Sequence, residues 1–179
     1  MEEPGLPPLH VLTGAPGAGK STLVPHVRRF PIAAADADEL PAPDGSLLGI
    51  DITSPQAEPV WPAYNRLWAT VTALMLRGSR PVLLMCPLDP DEWSRAAEGI
   101  PGLPRPAWAL LDCDDADRRT RLHARGWPED EIQDAIHDAH ELRRTVDRTF
   151  STSNTTPSDT AAALARWILT PANPLPGQT

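Results

Sequence analysis

One short segment constrains the fold more than any other part of the chain. Residues 14–21 match the pattern G-x-x-x-x-G-K-[ST], with an apolar run before them at residues 9–13 and an apolar stretch after them to about residue 29. A glycine-rich turn between a strand and a helix presents backbone N–H groups and the positive end of the helix dipole, and both bind phosphate oxygens. The segment therefore predicts a phosphate-binding loop, called the P-loop below.

Lys20, inside the P-loop, is the only lysine among the 16 Lys and Arg residues of the chain. Its ammonium is a compact charge on a flexible stem that can reach the β- and γ-phosphates of a nucleotide, where a planar guanidinium would not fit in the same way. Ser21 can offer its hydroxyl to Mg²⁺. We therefore predict ATP and Mg²⁺ as ligands. The candidate nucleotide-binding residues of the loop are Gly14, Ala15, Gly17, Ala18, Gly19, Lys20, Ser21 and Thr22.

Short apolar runs alternate with helical stretches along the chain, a pattern typical of a parallel sheet covered by helices. The predicted strands are residues 9–13, 32–36, 82–86, 108–112 and 149–152. The predicted helices are residues 19–29, 62–78, 89–98, 114–124, 129–147 and 157–168. We predict one domain over residues 1–170, with a lid at about residues 114–147 and a flexible tail at residues 171–179.

Composition narrows the classes of partner. A net charge of -8 argues against nucleic acid, because a phosphate backbone needs a basic surface. No apolar run approaches the roughly 18–20 residues that span a bilayer, and residues 1–8 are acidic and Pro-rich, unlike a signal peptide. Cys86 and Cys113 lie in separate apolar runs and indicate no disulfide framework. We expect a cytoplasmic monomer or homodimer without nucleic-acid or membrane partners.

Other classes of P-loop protein require motifs that this chain lacks. Ras-like GTPases need D-x-x-G, which is absent, and N-K-x-D, for which no second lysine exists. AAA-type and ABC-type ATPases need four apolar residues followed by Asp-Glu. Residues 109–112 match this pattern only in part, since Cys113 follows Asp112.

Three features give the chain a resemblance to the nucleotide-kinase-like small P-loop kinases, which include shikimate, gluconate and adenylate kinases and chloramphenicol phosphotransferase. They are the P-loop, the sequence Asp36-Ala37-Asp38 that is similar to the D-x-D of shikimate kinase, and residues 118–126, which are similar to an arginine-rich lid. The resemblance implies an α/β fold of the single-domain P-loop NTPase type, with a five-stranded parallel sheet in the order 2-3-1-4-5 and ATP at its carboxyl edge. The G-F-P-R motif of adenylate kinase is absent.

Asp36 and Asp38 are two residues apart at the end of a predicted strand, so we expect them on the same side. We predict that Asp36 accepts the proton of the acceptor hydroxyl or holds the Mg²⁺ shell together with Ser21, and that Asp38 binds a second hydroxyl. Arg121 and Arg125 share a helix face, and we predict that they close over the phosphates, because arginine forks onto phosphate oxygens.

Three further residues complete the predicted site. Arg118 is expected to stack on adenine from the lid, while Trp61 and Arg66 are expected to contact the acceptor. Acidic residues outnumber basic ones near this region, which favours a neutral or cationic, hydroxyl-rich acceptor. The predicted function is transfer of the γ-phosphate of ATP to a hydroxyl of a small molecule, such as a metabolite or an antibiotic. The alternatives are a nucleoside or nucleoside monophosphate kinase, and a regulatory P-loop ATPase without an acceptor.

Overall fold

The computed structural model describes residues 7–40, 46–47, 49–52 and 54–170. The tail predicted at residues 171–179 lies outside these described residues. The centre of the fold is a five-stranded parallel sheet. Two neighbouring strands, Leu9–Thr13 and Val82–Cys86, are buried at every position. The strands are β1 (Leu9–Thr13), β2 (Ala33–Asp36), β3 (Val82–Cys86), β4 (Ala107–Asp112) and β5 (Thr149–Ser151).

The strands follow the spatial order β2-β3-β1-β4-β5, which confirms the predicted order 2-3-1-4-5. β1 pairs with β3 on one side and with β4 on the other, and every pairing in the sheet is parallel. All carboxyl ends therefore lie along one edge. The P-loop follows β1, the central strand, and so lies at the middle of that edge. Here the chain changes from adding strands on one side of β1 to adding them on the other, and open α/β sheets bind ligands at such a point.

Helices cover both faces of the sheet, because each strand presents alternate side chains to opposite faces. Val11 of β1 belongs to the core beneath α2 and α3, whereas Leu12 belongs to the core beneath α1 and α6. α5 packs on β4 through Leu142 and Val146. The helices are α1 (Lys20–Val27), α2 (Trp61–Met75), α3 (Pro90–Ala97), α4 (Asp115–His123), α5 (Glu129–Thr145) and α6 (Pro157–Leu169).

β1 and β3 have the predicted bounds, and the other elements depart from prediction by one to three residues at one or both ends, for local reasons. α1 begins at Lys20 rather than at Gly19, because Gly19 adopts a left-handed conformation and serves as the N-cap. α3 begins after Asp89, whose side chain accepts from the Glu92 N–H while the Glu92 carboxylate accepts from the Asp89 N–H. Thr156 caps α6 by accepting from the Asp159 N–H.

The connection between β2 and α2 contains short elements that the sequence pattern did not predict. They are a 3₁₀ turn at Ala37–Glu39, an antiparallel pair of Ser46–Leu47 with Ile50–Asp51, and a second 3₁₀ turn at Pro55–Val60. Elements of two to six residues carry too little periodicity to be recognised in a Pro-rich segment. Among the helices that the structure describes, none is long and apolar enough to cross a membrane.

The fully buried Leu83 at the centre of β3 provides a test of the core. We expect Leu83→Ala to lower the free energy of unfolding by about 2–5 kcal/mol, through lost burial and the cavity left behind. The matched control is Leu67→Ala on α2, since Leu67 is 47% exposed, and it should change stability by less than about 0.5 kcal/mol. Urea denaturation measures both values, and equal effects would contradict this description of the core.

Candidate active site

The P-loop passes close to β4 and then enters α1. A Cβ atom on Gly14 would lie 2.6 Å from the carbonyl oxygen of Leu111, so only glycine allows the loop this path. Gly19, with a φ of 100°, turns the chain into α1 at Lys20. The first N–H groups of a helix have no partner within the helix and point out of its amino end. The turn therefore places an anion-binding helix end at the centre of the sheet edge.

The Lys20 side chain is only 7% exposed and lies across the P-loop. Its Nζ donates to the carbonyl oxygen of Gly14 at 2.6 Å and lies 3.6 Å from Oδ2 of Asp38. A buried ammonium needs such oxygen partners, because loss of hydration is otherwise costly. Lys20 thus joins the loop after β1 to the acidic turn after β2.

Ser21 and Asp36 form a second contact between the same two loops. The Ser21 hydroxyl donates to Oδ2 of Asp36 at 3.2 Å, and the Asp38 N–H donates to Oδ1 of Asp36 at 3.0 Å. Asp36 is fully buried. Burial raises the pKa of its carboxyl above the ordinary value of 3.8, against the opposing effects of the Asp38 N–H and the Lys20 charge. The two side chains supply neighbouring oxygens, as a Mg²⁺ ion requires.

Asp36 and Asp38 both contact the P-loop, through Ser21 and Lys20, but the strand alternation from which this was expected does not extend to Asp38. β2 ends at Asp36 and a 3₁₀ turn begins at Ala37, so the alternation of side chains stops between them. Asp36 turns into the protein beneath the P-loop, whereas the Asp38 side chain is 50% exposed.

Arg118 of α4 is fully buried, and the adenine-stacking position predicted for it does not fit this placement. Its Nη2 donates to Oδ1 of Asp112 at 2.6 Å, and its Nη1 donates to the carbonyl oxygen of Pro16. Arg143 donates from Nε to the other carboxylate oxygen of Asp112, also at 2.6 Å. Arg118 therefore links the P-loop to the end of β4.

Arg121 and Arg125 lie near the P-loop, as predicted for a lid. Arg121 Nη1 donates to the Gly17 carbonyl at 3.1 Å and to Oγ1 of Thr152 at 2.8 Å. Both arginines line a cavity of about 450 Å³ that we call the P-loop cavity. Its lining residues are Gly17, Gly19, Thr22, Leu23, Arg121, Ala124, Arg125, Thr152, Thr155, Pro157 and Thr160.

Of the threonines of this cavity, Thr22 was predicted with the P-loop, whereas Thr152, Thr155 and Thr160 were not recognised in the sequence. Thr152 directly follows β5. The loops after parallel strands all lie at the same edge of the sheet, so its position at the end of a predicted strand could have indicated it. Its hydroxyl donates to the Ala18 carbonyl at 2.9 Å, so it also supports the P-loop.

A second cavity, of about 290 Å³, lies on the other side of Asp38, and we call it the aromatic cavity. Its lining residues are Ala37, Asp38, Trp61, Tyr64, Asn65, Trp68, Cys86, Pro87, Leu88 and Glu92. Trp61 contributes to it as predicted for an acceptor contact. Asn65 and Glu92 carry no distinguishing pattern in the sequence, and they join the wall through the packing of α2 on α3.

Arg66 does not line the aromatic cavity, contrary to the acceptor-binding role predicted for it. It is exposed, and its Nη1 donates to the Glu98 carbonyl at 2.9 Å, where it satisfies the end of α3. One position along a helix rotates a side chain by about 100°, so Asn65 faces the cavity and Arg66 does not.

Comparisons with known proteins agree with this architecture. Neither a family model nor a curated protein matches the sequence. A sugar kinase from Janibacter sp. HTCC2649 is 19% identical, with 90% of this chain and 94% of that chain covered and a TM-score of 0.62. A shikimate kinase from Acinetobacter baumannii in complex with shikimate is 17% identical, with coverage of 91% and 93% and a TM-score of 0.61.

A third similar structure is the tunicamycin resistance protein of Deinococcus radiodurans. It is 16% identical, with coverage of 90% of this chain and 95% of that chain and a TM-score of 0.64. At such identities the likeness concerns the fold. The chain has the fold of the small P-loop kinases.

Replacement of the buried Asp36 carboxyl by an amide tests its electrostatic state. The raised pKa means that the folded protein holds the proton more firmly than the unfolded chain does, so this group's contribution to stability falls as the pH rises from 3.8 through the raised pKa. We therefore expect Asp36→Asn to raise the melting temperature at neutral pH, by about 2–4 °C for each kcal/mol gained. The gain should disappear below pH 3.8, where both states are protonated.

Thermal melts monitored by circular dichroism across this pH range measure the effect. Asp147→Asn is the control, because Asp147 is exposed and its replacement should change little. A melting temperature of Asp36→Asn that is unchanged or lowered at neutral pH would contradict the assignment of an electrostatic cost to Asp36.

Proposed function

We propose that this protein is an ATP-dependent kinase that transfers the γ-phosphoryl group to a hydroxyl of a small molecule. One observation carries the proposal: the buried Lys20 lies between two cavities at the carboxyl edge of the sheet. The P-loop cavity lies on the side of α4 and β5, and the aromatic cavity begins at Asp38, 3.6 Å from Lys20. A phosphoryl transfer needs donor and acceptor on opposite sides of the moving group, close to a positive charge.

The P-loop cavity fits the phosphates of a nucleotide. Gly17 and Gly19 line it beside the amino end of α1, directly before Lys20, while Arg121 and Arg125 face the cavity from α4 and the turn after it. ATP with Mg²⁺ supplies the γ-phosphoryl group. Ser21 and Asp36 are the residues that would hold the ion.

In the proposed reaction the basic residues have two roles, charge neutralisation and positioning of the P-loop. In this proposal Lys20 neutralises negative charge on the phosphate oxygens, and Arg121 and Arg125 do so from α4 and the turn after it. Arg118 is a positioning residue, because it contacts the Pro16 carbonyl and Asp112 rather than the cavity. Its ion pair holds the P-loop at a fixed distance from β4.

On the acceptor side, Asp38 is better placed than Asp36 to meet a hydroxyl. Asp38 lines the aromatic cavity, whereas Asp36 is fully buried against Ser21. In the proposed reaction the acceptor oxygen forms a bond to the γ-phosphorus, the bond to the β–γ bridging oxygen breaks, and ADP leaves. The hydroxyl proton passes to the Asp38 carboxylate and from there to water.

The names of the structural neighbours support this reaction class by analogy of fold. They include a sugar kinase, a shikimate kinase and a gluconokinase, each with more than nine-tenths of its own length covered. No observation favours a nucleoside monophosphate kinase or a regulatory ATPase over a small-molecule kinase.

Removal of the Lys20 charge tests the nucleotide side. We expect Lys20→Met to lower kcat by about 10²–10³-fold, because a preorganised positive charge is lost at the moving phosphoryl group. The assay combines the protein with ATP, Mg²⁺ and a panel of sugars, metabolites and hydroxyl-bearing antibiotics, and follows ADP release and product mass. Arg77→Met, at an exposed position after α2, is the control. A phosphorylated product formed equally well by Lys20→Met would overturn the proposal.

Removal of the Asp38 carboxylate tests the acceptor side. We expect Asp38→Asn to lower kcat by about 10²–10⁴-fold, the usual contribution of a general base, while the affinity for ATP stays within a few-fold. Glu39→Gln is the matched control, since Glu39 is exposed and pairs with Arg28 instead. Turnover by Asp38→Asn within twofold of the unmodified protein would remove Asp38 from the reaction.

A further inference from the structure

We infer that the acceptor is an uncharged or cationic hydroxyl compound with a flat or apolar ring, and that the aromatic cavity rejects anionic acceptors. This inference rests on the proposed kinase function and specifies the acceptor class for the same site. It follows from three properties of the cavity wall: its charge, its rings and its size.

The charge of the wall is negative. Asp38 and Glu92 line the cavity, and the described lining residues include no Lys, Arg or His. The entire stretch of residues 30–65, which leads from the end of α1 into α2, also contains no basic residue in its sequence. Arg66, the first arginine after it, is bonded to the end of α3. An acceptor carboxylate would therefore meet two carboxylates and no arginine to bind it, which is unfavourable in a desolvated site.

Lys20 does not change this conclusion. Its Nζ approaches Asp38 from the P-loop side and donates to the Gly14 carbonyl. In the proposed reaction that charge faces the phosphates. It therefore offers an acceptor anion no separate binding position at the far end of the cavity.

Three rings of α2 line the cavity, with Trp61 half-buried and Tyr64 and Trp68 buried. Trp61 and Tyr64 meet edge to face with centroids 5.9 Å apart, and Tyr64 and Trp68 do so at 6.4 Å. The Tyr64 hydroxyl donates to the Ala37 carbonyl, which fixes the ring. Aromatic faces of this kind stack on flat or apolar rings and attract cations.

The opposite wall is apolar as well. Cys86 ends β3, and Pro87 and Leu88 follow it. Burial raises the pKa of the Cys86 thiol to about 12, so it remains uncharged at neutral pH. The volume of about 290 Å³ is at the small end of ligand sites, which suits one or two rings rather than a long chain.

The first arm of the test is a phosphorylation assay with matched acceptors. The set contains phenyl β-D-glucoside, phenyl β-D-glucuronide, which adds a carboxylate, and methyl β-D-glucoside, which lacks the aromatic ring. Ring alcohols with neutral, amino and carboxylate substituents extend the set, together with shikimate and gluconate. We expect the phosphorylated compounds to be neutral or cationic ring compounds, with kcat/KM at least about tenfold above their anionic partners, since a site rejects a group it leaves unpaired.

The second arm changes the wall and reads the preference. Asn65→Arg places a cation in the cavity wall, and we expect it to raise kcat/KM for anionic relative to neutral acceptors by about tenfold or more. Leu67→Arg, two positions along the same helix and 47% exposed, should leave that ratio unchanged. Should Asn65→Arg fail to fold by thermal melting, Glu92→Gln removes one carboxylate and should shift the ratio in the same direction. Trp61→Ala should raise KM for ring acceptors more than it lowers kcat.

The outcomes separate this inference from the function on which it rests. Lys20-dependent phosphorylation of anionic acceptors in preference to neutral ones would overturn the inference and leave the kinase standing. If ATP binds but no compound is phosphorylated, the kinase proposal fails, and isothermal titration calorimetry decides on the cavity. Binding of the phenyl glucoside that is lost in Trp61→Ala would then support the inference, and the absence of any binding would overturn it.

Discussion

The Lys20 ammonium and its two oxygen partners fix the relation between the parts of the site. A cation that is 93% removed from solvent needs oxygen atoms nearby, and here they come from the loop before it and from the turn after β2. β3 lies between β1 and β2, so the sheet sets the separation that this contact spans. Asp38 faces the second cavity from the same turn. The turn that carries Asp38 and the P-loop are consequently joined by one buried charge.

Two arginines of α4 bind the backbone of the P-loop. Arg118 and Arg121 donate to the carbonyls of Pro16 and Gly17, and Asp112 is held by both Arg118 and Arg143. A fully buried guanidinium in such a network supports the loop geometry rather than a ligand. Arg125 is exposed and lines the P-loop cavity. Arginines that look alike in the sequence therefore differ in burial and in their partners.

The strands β1 and β3 and the P-loop could be predicted, because these strands are short apolar runs bounded by turn residues and the motif carries its own geometry. The sheet order followed from the resemblance to the small P-loop kinases. The partners of individual side chains could not be predicted. Arg118 and Arg121 lie on α4, whereas Arg125 lies beyond its end at His123, so Arg121 and Arg125 do not share the helix face that the spacing predicted. Arg118 is fully buried and Arg125 is exposed, a difference that the spacing does not show. Asp36 is buried and Asp38 is half exposed, because β2 ends at Asp36 and a 3₁₀ turn begins after it. Asn65 and Arg66 are separated by one helical step, which only the packing of α2 on α3 distinguishes.

Amide hydrogen exchange with and without ATP and Mg²⁺ tests most directly whether the nucleotide lies on the lid side of Lys20. We predict slower exchange in residues 14–22, 121–125 and 152–157 when ATP is bound, and unchanged exchange in α2, whose residues line the other cavity. Slower exchange in α2 with no change in the P-loop would place the nucleotide in the aromatic cavity and contradict the proposed arrangement of donor and acceptor.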